Sequence, residues 1–199
     1  LATPWPGHQA GQFAFVTFST DEGAHPFTIS SGWQGDGRLF FLIKGIGDYT
    51  ARLPELLRVG DLVTVEGPYG RFDFANGGAS AKRRQIWVGG GIGITPFIAR
   101  MKALVVVPDG RAVDLFYSTA EPDEGFIARL QRDAQAAGVT LHVRVSARDG
   151  RLERVEVHHH QINGLQSMCL HLAHMILAVT TEQQSAVHPR VQRLDPAVQ

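Results

Sequence analysis

Val88-Gly89-Gly90-Gly91-Ile92-Gly93-Ile94-Thr95-Pro96 reads as an apolar strand that runs into a glycine loop and out into a helix. Ile86-Trp87-Val88 supplies the strand, and the glycines let backbone amides approach a bound group closely. A helix start adds unpaired N–H groups and the positive end of a dipole, which together favour a pyrophosphate. Thr95 is expected to cap that helix and Pro96 to occupy its first turn. The usual dinucleotide fingerprint needs a third glycine where this chain has Thr95-Pro96, so the motif alone reads equally as a phosphate site or a structural turn.

Downstream the period stays that of alternating elements. An apolar helix pattern begins at Pro96, a strand is expected over Ala112 to Ser118, a helix over Asp123 to Ala137 and a strand over Thr140 to Val145. Strands that alternate with helices predict a parallel α/β sheet, here assigned to residues 85–151. Upstream, Ala75 to Gln85 is small and polar, the composition of a domain boundary, and Lys82-Arg83-Arg84 reads as a solvated linker. Before it, short β-rich runs at Gln12 to Phe18, Pro26 to Ser30, Leu39 to Ile43 and Leu62 to Val65 are punctuated by Gly and Asp, the pattern of an antiparallel barrel or sandwich over 1–78. Leu53, Leu56 and Leu57 predict a short helix over Thr50 to Leu57, capped by Asp48 or Thr50 and limited by Pro54.

Composition narrows the function. The chain has 199 residues, 44% of them hydrophobic, and 19 basic side chains balance 19 acidic ones, so the field that draws proteins onto nucleic acid is missing. A single cysteine, Cys169, closes no internal disulfide and ligates neither a four-thiolate zinc nor an iron–sulfur cluster, so redox chemistry here needs an organic cofactor. Met168 to Val179, the longest apolar stretch, falls short of the roughly 20 residues that span a bilayer. The opening Leu1-Ala2-Thr3-Pro4 reads as the interior of a longer chain. Of 22 glycines all but Gly164 lie at or before Gly150, and every aromatic precedes Ile127, so residues 152–199 read as an atypical tail. Its His158-His159-His160, Cys169, His171 and His174 are metal-ligand types without a recognisable spacing, and no metal site is expected.

Three further stretches carry candidate chemistry. His25-Pro26-Phe27-Thr28-Ile29-Ser30-Ser31 sets an aromatic face beside hydroxyls and a histidine, groups that suit a flat ring system and a phosphate, or a common strand of Phe and Thr. Lys44-Gly45-Ile46-Gly47-Asp48-Tyr49-Thr50 places glycines and a hydroxyl at a helix mouth, again either a phosphate cradle or a capped turn. Glu66-Gly67-Pro68-Tyr69-Gly70-Arg71-Phe72 reads as a turn with an aromatic at its centre.

Taken in order, these four motifs resemble the ferredoxin reductase superfamily, above all its ferric-reductase and NADPH-oxidase branch, over about Gly11 to Leu152. The resemblance implies an antiparallel flavin-binding β-barrel followed by a parallel α/β nucleotide-binding domain. It implies an NAD(P)H-dependent flavoprotein oxidoreductase that moves a hydride from NAD(P)H to FAD and sends electrons onward to a haem in an upstream membrane domain, to ferric iron or to oxygen. The module would then lie in the cytoplasm or on the cytoplasmic face of a membrane. Carried over by residue, Phe27 lies on the flavin ring and Thr28 near its N5, with Pro26 beside them. His25 stands where relatives outside this branch have an arginine for the pyrophosphate, and Lys44, Gly47 and Thr50 flank the FAD phosphates. Gly89, Gly90, Gly91, Ile92, Gly93, Thr95 and Pro96 meet the nicotinamide dinucleotide, and Tyr117 and Ser118 lie where its adenosine ribose is read. Thr119-Ala120-Glu121 replaces the arginine common in NADPH-preferring relatives, which leaves Arg148 or Arg151 as partners for a 2′-phosphate.

The chain departs from the family at both ends. The first barrel strands would lie before Thr3, and the Cys-Gly-Pro strand end near the nicotinamide is absent, since Cys169 is flanked by Met168 and Leu170. The tail therefore reads as a replaced terminus. Two competing readings follow: a non-catalytic remnant that keeps a nucleotide site, and a free-standing flavin reductase that serves a small acceptor.

Overall fold

A computed structural model describes residues 5–72, 74, 84–150 and 192–194 of the chain. Apolar residues alternate from Phe13, and this alternation builds the first sheet. Strand β1 (Phe13–Thr17) pairs antiparallel with β2 (His25–Thr28) on one side and with β3 (Val63–Tyr69) on the other, and β7 (Gln192–Leu194) closes the order β2-β1-β3-β7. Ala14, Val16 and Val65 turn inward with Trp5 and Ile29 to make a small core. Helix α1 (Asp48–Leu56) lies between β2 and β3 in the chain and buries only Leu53.

Two strand expectations give way to local hydrogen bonding. Leu39 to Ile43 forms no strand and keeps a single bridge, Phe41 to Ile29. The buried hydroxyls of Ser30 and Ser31 accept the amides of Leu42 and Phe40 at 3.1 and 3.3 Å, so side chains take the place of ladder carbonyls. The expected turn at Glu66 is strand instead, because β3 runs on through Tyr69. Phe13 pairs with Tyr69 and Phe15 with Glu66, so β3 holds one residue more than β1 and bulges. Gly67 makes the bulge possible: its φ is +149°, and a Cβ there would lie 3.2 to 3.3 Å from Ala14 and the Phe13 carbonyl.

The second sheet is parallel, in the order β4 (Gln85–Gly90), β5 (Val113–Thr119), β6 (Val139–Val145). A 3₁₀ turn over Gly91–Ile94 leads from β4 into α2 (Thr95–Val106), α3 (Glu124–Ala136) joins β5 to β6, and a single turn α4 (Ser146–Asp149) follows. Phe97, Ile98, Met101 and Leu104 of α2, with Leu130 and Ala134 of α3, cover Trp87, Val113, Leu115 and Tyr117 on one sheet face. Asp123, expected as the first residue of the helix, caps α3 instead by accepting the Phe126 amide at 2.8 Å. Thr95 does not cap α2. The 3₁₀ turn displaces the start, Ile94 becomes the N-cap, and Thr95 Oγ1 donates back to the Ile92 carbonyl at 3.1 Å.

The two sheets meet through aromatic side chains and one glycine. Phe72 and Phe74, just past β3, enter the core of the parallel half, where Phe74 meets Trp87 edge-on with centroids 5.1 Å apart. Gln85 ties the same corner, donating to the Phe74 carbonyl at 2.9 Å and accepting from Trp87 Nε1 at 3.0 Å. Gly32 abuts α2 so closely that a Cβ would fall 2.9 Å from the Ala103 amide nitrogen. Gly32→Ala is therefore expected to lower stability by about 1–3 kcal/mol in urea denaturation, because backbone on both sides leaves nothing that can move aside. An unchanged urea midpoint would show that this seam can open. Arg84 also departs from expectation: it is no linker residue but an ion-pair partner of buried Asp114 at 2.5 Å. Lys82, Arg83, Arg151 and the histidines and cysteine of the tail lie outside the described residues.

Candidate functional site

Strand β2 is an edge strand, which tolerates Pro26 and its missing N–H. Its register divides the first motif between two faces. His25 and Phe27 lie opposite Val16 and Ala14 on the core side, while Pro26 and Thr28 lie opposite Phe15 and Phe13. Phe27 is half-buried and packs beside Phe18 at 5.8 Å. Ser30 and Ser31, the other hydroxyls of the run, are buried and committed to the backbone of residues 40 and 42.

His25 joins the first motif to the second. Its ring stacks on Tyr49 with centroids 4.8 Å apart and planes 24° from parallel, which sets β2 against the opening turn of α1. His25 Nε2 is shut off from solvent and has no hydrogen-bond partner among the described residues. In the helix mouth Gly47 is the N-cap, not Asp48 or Thr50. Thr50 Oγ1 accepts the amides of Ile46 and Gly47 at 3.2 and 3.1 Å, the reach-back half of a capping box. Gly45 passes over the helix so tightly that a Cβ would sit 3.0 Å from Ala51 Cα, while Lys44 projects into solvent. Burial, then the negative charge of Glu22, holds the Tyr49 hydroxyl above its ordinary value, so it stays a neutral phenol.

In the glycine loop the four glycines have different reasons to be there. A Cβ on Gly89 would meet Ile94 at 3.1 to 3.3 Å and Phe97 at 3.4 Å, so packing requires this one. Gly91 has φ +50° and allows the chain to turn. Among the described residues nothing lies within 4 Å of where a Cβ on Gly90 or Gly93 would sit, so the backbone there is open on that side, as a ligand touching it requires. Ile92 is partly exposed, Pro96 sits in the first turn of α2, and Thr95 is buried with its hydroxyl engaged. Gly90, Ser118 and Arg144 stand in register at the C-terminal ends of the three parallel strands, the edge where open α/β sheets bind ligands. Ser118 Oγ lies 3.5 Å from Ser146 Oγ. Tyr117, one position before Ser118 at the same strand end, turns to the core face, where it is buried beside Phe126 at 5.9 Å. Arg148 binds Asp149 at 2.8 and 3.2 Å. The guanidinium, then the Val145 amide, brings the Asp149 carboxyl down to about 2.

No family model matches the chain. It is 29% identical over 144 residues to the ferredoxin–NAD(+) reductase component of the alkene monooxygenase system of Xanthobacter autotrophicus, covering 70% of this chain and 42% of that protein. It is 25% identical over 118 residues to the reductase component of propane 2-monooxygenase from Rhodococcus jostii, covering 58% and 31%. In structure it matches the flavohemoglobin of Malassezia yamatoensis, solved with bound FAD and heme, with TM-score 0.65 and 19% identity over 89% of this chain and 49% of that one. It also matches the ferredoxin–NADP+ reductase of Plasmodium falciparum, with TM-score 0.53 and 17% identity over 70% and 58%. The chain has the ferredoxin reductase-type fold.

The chain spans less than half the length of the curated relatives just named. Among its described residues no helix is long and apolar enough to cross a membrane. In this ferredoxin reductase-type fold, sequence reasoning missed Tyr49 and Asp149. Tyr49 stood inside a quoted motif as the residue beside Asp48 and Thr50, but its stack on His25 joins positions 24 apart, and no periodicity marks such a pair. Asp149 follows Arg148 directly, so an adjacent pair of opposite charges was its available signal.

Proposed function

We propose that this chain is the FAD- and NAD(P)H-binding module of a flavoprotein oxidoreductase, taking a hydride from the nicotinamide and passing electrons onward to an acceptor outside the chain. The stack of His25 on Tyr49 carries the reading. It unites the two motifs expected to hold FAD and leaves one buried ring nitrogen free to meet an anion. FAD, when bound, supplies the chemistry, accepting electrons in a pair and releasing them singly. The chain supplies position. Phe27 and Pro26 offer apolar surface and Thr28 a hydroxyl at the strand end, while His25, Lys44, Gly47 and Thr50 surround the phosphates. Gly89 to Gly93, with Thr95 and Pro96 behind them, cradle the dinucleotide, and Ser118 marks the ribose end. No acid–base triad is required, because donor and acceptor of the hydride are both cofactors.

An acceptor outside the chain is supported by relatives that are reductase components of multi-protein systems. A haem in a membrane domain upstream, ferric iron and oxygen all fit this reading. NADH is the donor we infer. To neutralise a 2′-phosphate, Arg148 would have to leave Asp149, which already holds it at two points.

The test is anaerobic absorbance of the chain loaded with FAD, before and after NADH or NADPH. The oxidised flavin band is expected to bleach with both, at least about tenfold faster with NADH, the ratio that 1.4 kcal/mol gives. FAD retained without bleaching by either would favour the remnant reading, which the absent Cys-Gly-Pro segment motivates. No retention of FAD would overturn the assignment of the antiparallel half.

A further inference from the structure

His25 Nε2 is a buried nitrogen without a hydrogen-bond partner among the described residues, on a ring that stacking on Tyr49 holds in place. An unpaired buried polar atom destabilises the fold, and a ligand that pairs with it removes that cost. We propose that FAD binding takes up a proton at His25, so that flavin occupancy of this chain falls as pH rises. The inference rests on the placing of FAD at this site.

The charges around the ring decide the direction. Val16 faces His25 from β1 and is apolar, and Phe27 neighbours it on β2. From α1 come Tyr49, Asp48 in the first turn and Arg52 one turn on, and Glu22 of the loop before β2 makes its charge felt at Tyr49. Asp21 adjoins Glu22, and Lys44 projects into solvent from the loop before α1. The pyrophosphate of FAD carries two negative charges, and with Asp48 and Glu22 they outnumber the positive charges of Lys44 and Arg52, so a proton on the imidazole is favoured when FAD is bound. A protonated imidazole supplies both an Nε2–H donor, which makes a charge-assisted bond, and a positive charge, which the face of Tyr49 favours. Imidazole is the side chain that makes this change between about pH 5 and 8. An arginine at the same place would hold its charge throughout.

FAD affinity is to be measured by quenching of flavin fluorescence from pH 5.5 to 8.5 for the native chain, His25→Arg and His25→Gln. The native chain is expected to weaken toward about tenfold per pH unit at the alkaline end, the slope of one linked proton. His25→Arg is expected to be flat and tight, His25→Gln flat and weak. Calorimetry of the native chain at neutral pH, in two buffers of different protonation enthalpy, reads the uptake without any variant, and a net uptake on FAD binding is expected. A native profile parallel to that of His25→Arg, or no proton uptake, would overturn the inference while leaving FAD at the site. No FAD binding by any variant at any pH would remove the site assignment and the inference with it.

Discussion

Gly93→Val is expected to slow reduction of the bound flavin by NADH about a hundredfold while the urea midpoint stays within about 0.5 kcal/mol of the native chain. Among the described residues nothing lies within 4 Å of the place its Cβ would take, so the described fold accommodates the side chain without strain. On the proposed reading, valine there would instead fill the space through which a dinucleotide reaches the amides of the loop. Gly89→Val reverses the pattern. Its branches would press on Ile94 and Phe97, which already stand 3.1 to 3.4 Å from a bare Cβ, and stability is expected to fall by about 1–3 kcal/mol. Two glycines four positions apart thus separate a packing requirement from a binding one. Stopped-flow reduction and urea denaturation of both variants form the test. Native reduction kinetics in Gly93→Val would sink the dinucleotide cradle, and native stability in Gly89→Val would sink the packing account.

The parallel half was more legible in the sequence than the antiparallel half. Val113 to Tyr117 is buried without interruption and α3 carries Ile127, Leu130 and Ala134 on one face, so strand and helix differ in period there. In the antiparallel half, Leu39 to Ile43 has the composition of a strand, but the hydroxyls of Ser30 and Ser31, about ten residues away, take its amides. Glu66 to Tyr69 carries turn residues yet continues β3, because Gly67 and Pro68 lie in a bulge against β1 that only the register of two strands defines. The candidate site divides in the same way. Its glycine loops are local and were readable. The stack of His25 on Tyr49 and the burial of Tyr117 on the core face depend on tertiary packing that spacing does not encode. Arg84 looked like one of three solvated charges because its partner stands 30 positions away.

That pair supplies the second large effect. Asp114 is 1% exposed on β5 and takes Arg84 Nε at 2.5 Å and His142 Nε2 at 3.0 Å, while its two partners are 43% and 30% exposed. Burial pushes the carboxyl up, but the bonds and charges of His142 and Arg84 outweigh it and hold the group below its ordinary value. Arg84→Ala would leave a buried carboxylate with one partner, and a loss of about 3 kcal/mol is expected at pH 7. Asp114→Asn should cost less, about 1–2 kcal/mol, because the side chains it frees can reach water. A carboxyl whose folded value is depressed stabilises the fold above its unfolded value, and that contribution is lost as pH falls through the folded one. The urea midpoints of the native chain and Asp114→Asn should therefore converge as pH drops from about 5 toward 2. A gap that stays constant over this range would show that Asp114 contributes nothing through its charge. Arg84 precedes β4 and Asp114 begins β5, at the opposite end of these strands from Gly90, Ser118 and Arg144. Arg84→Ala is expected to unfold earlier yet reduce its flavin at the native rate where it remains folded, since this pair lies at the edge of the sheet opposite the proposed ligand edge.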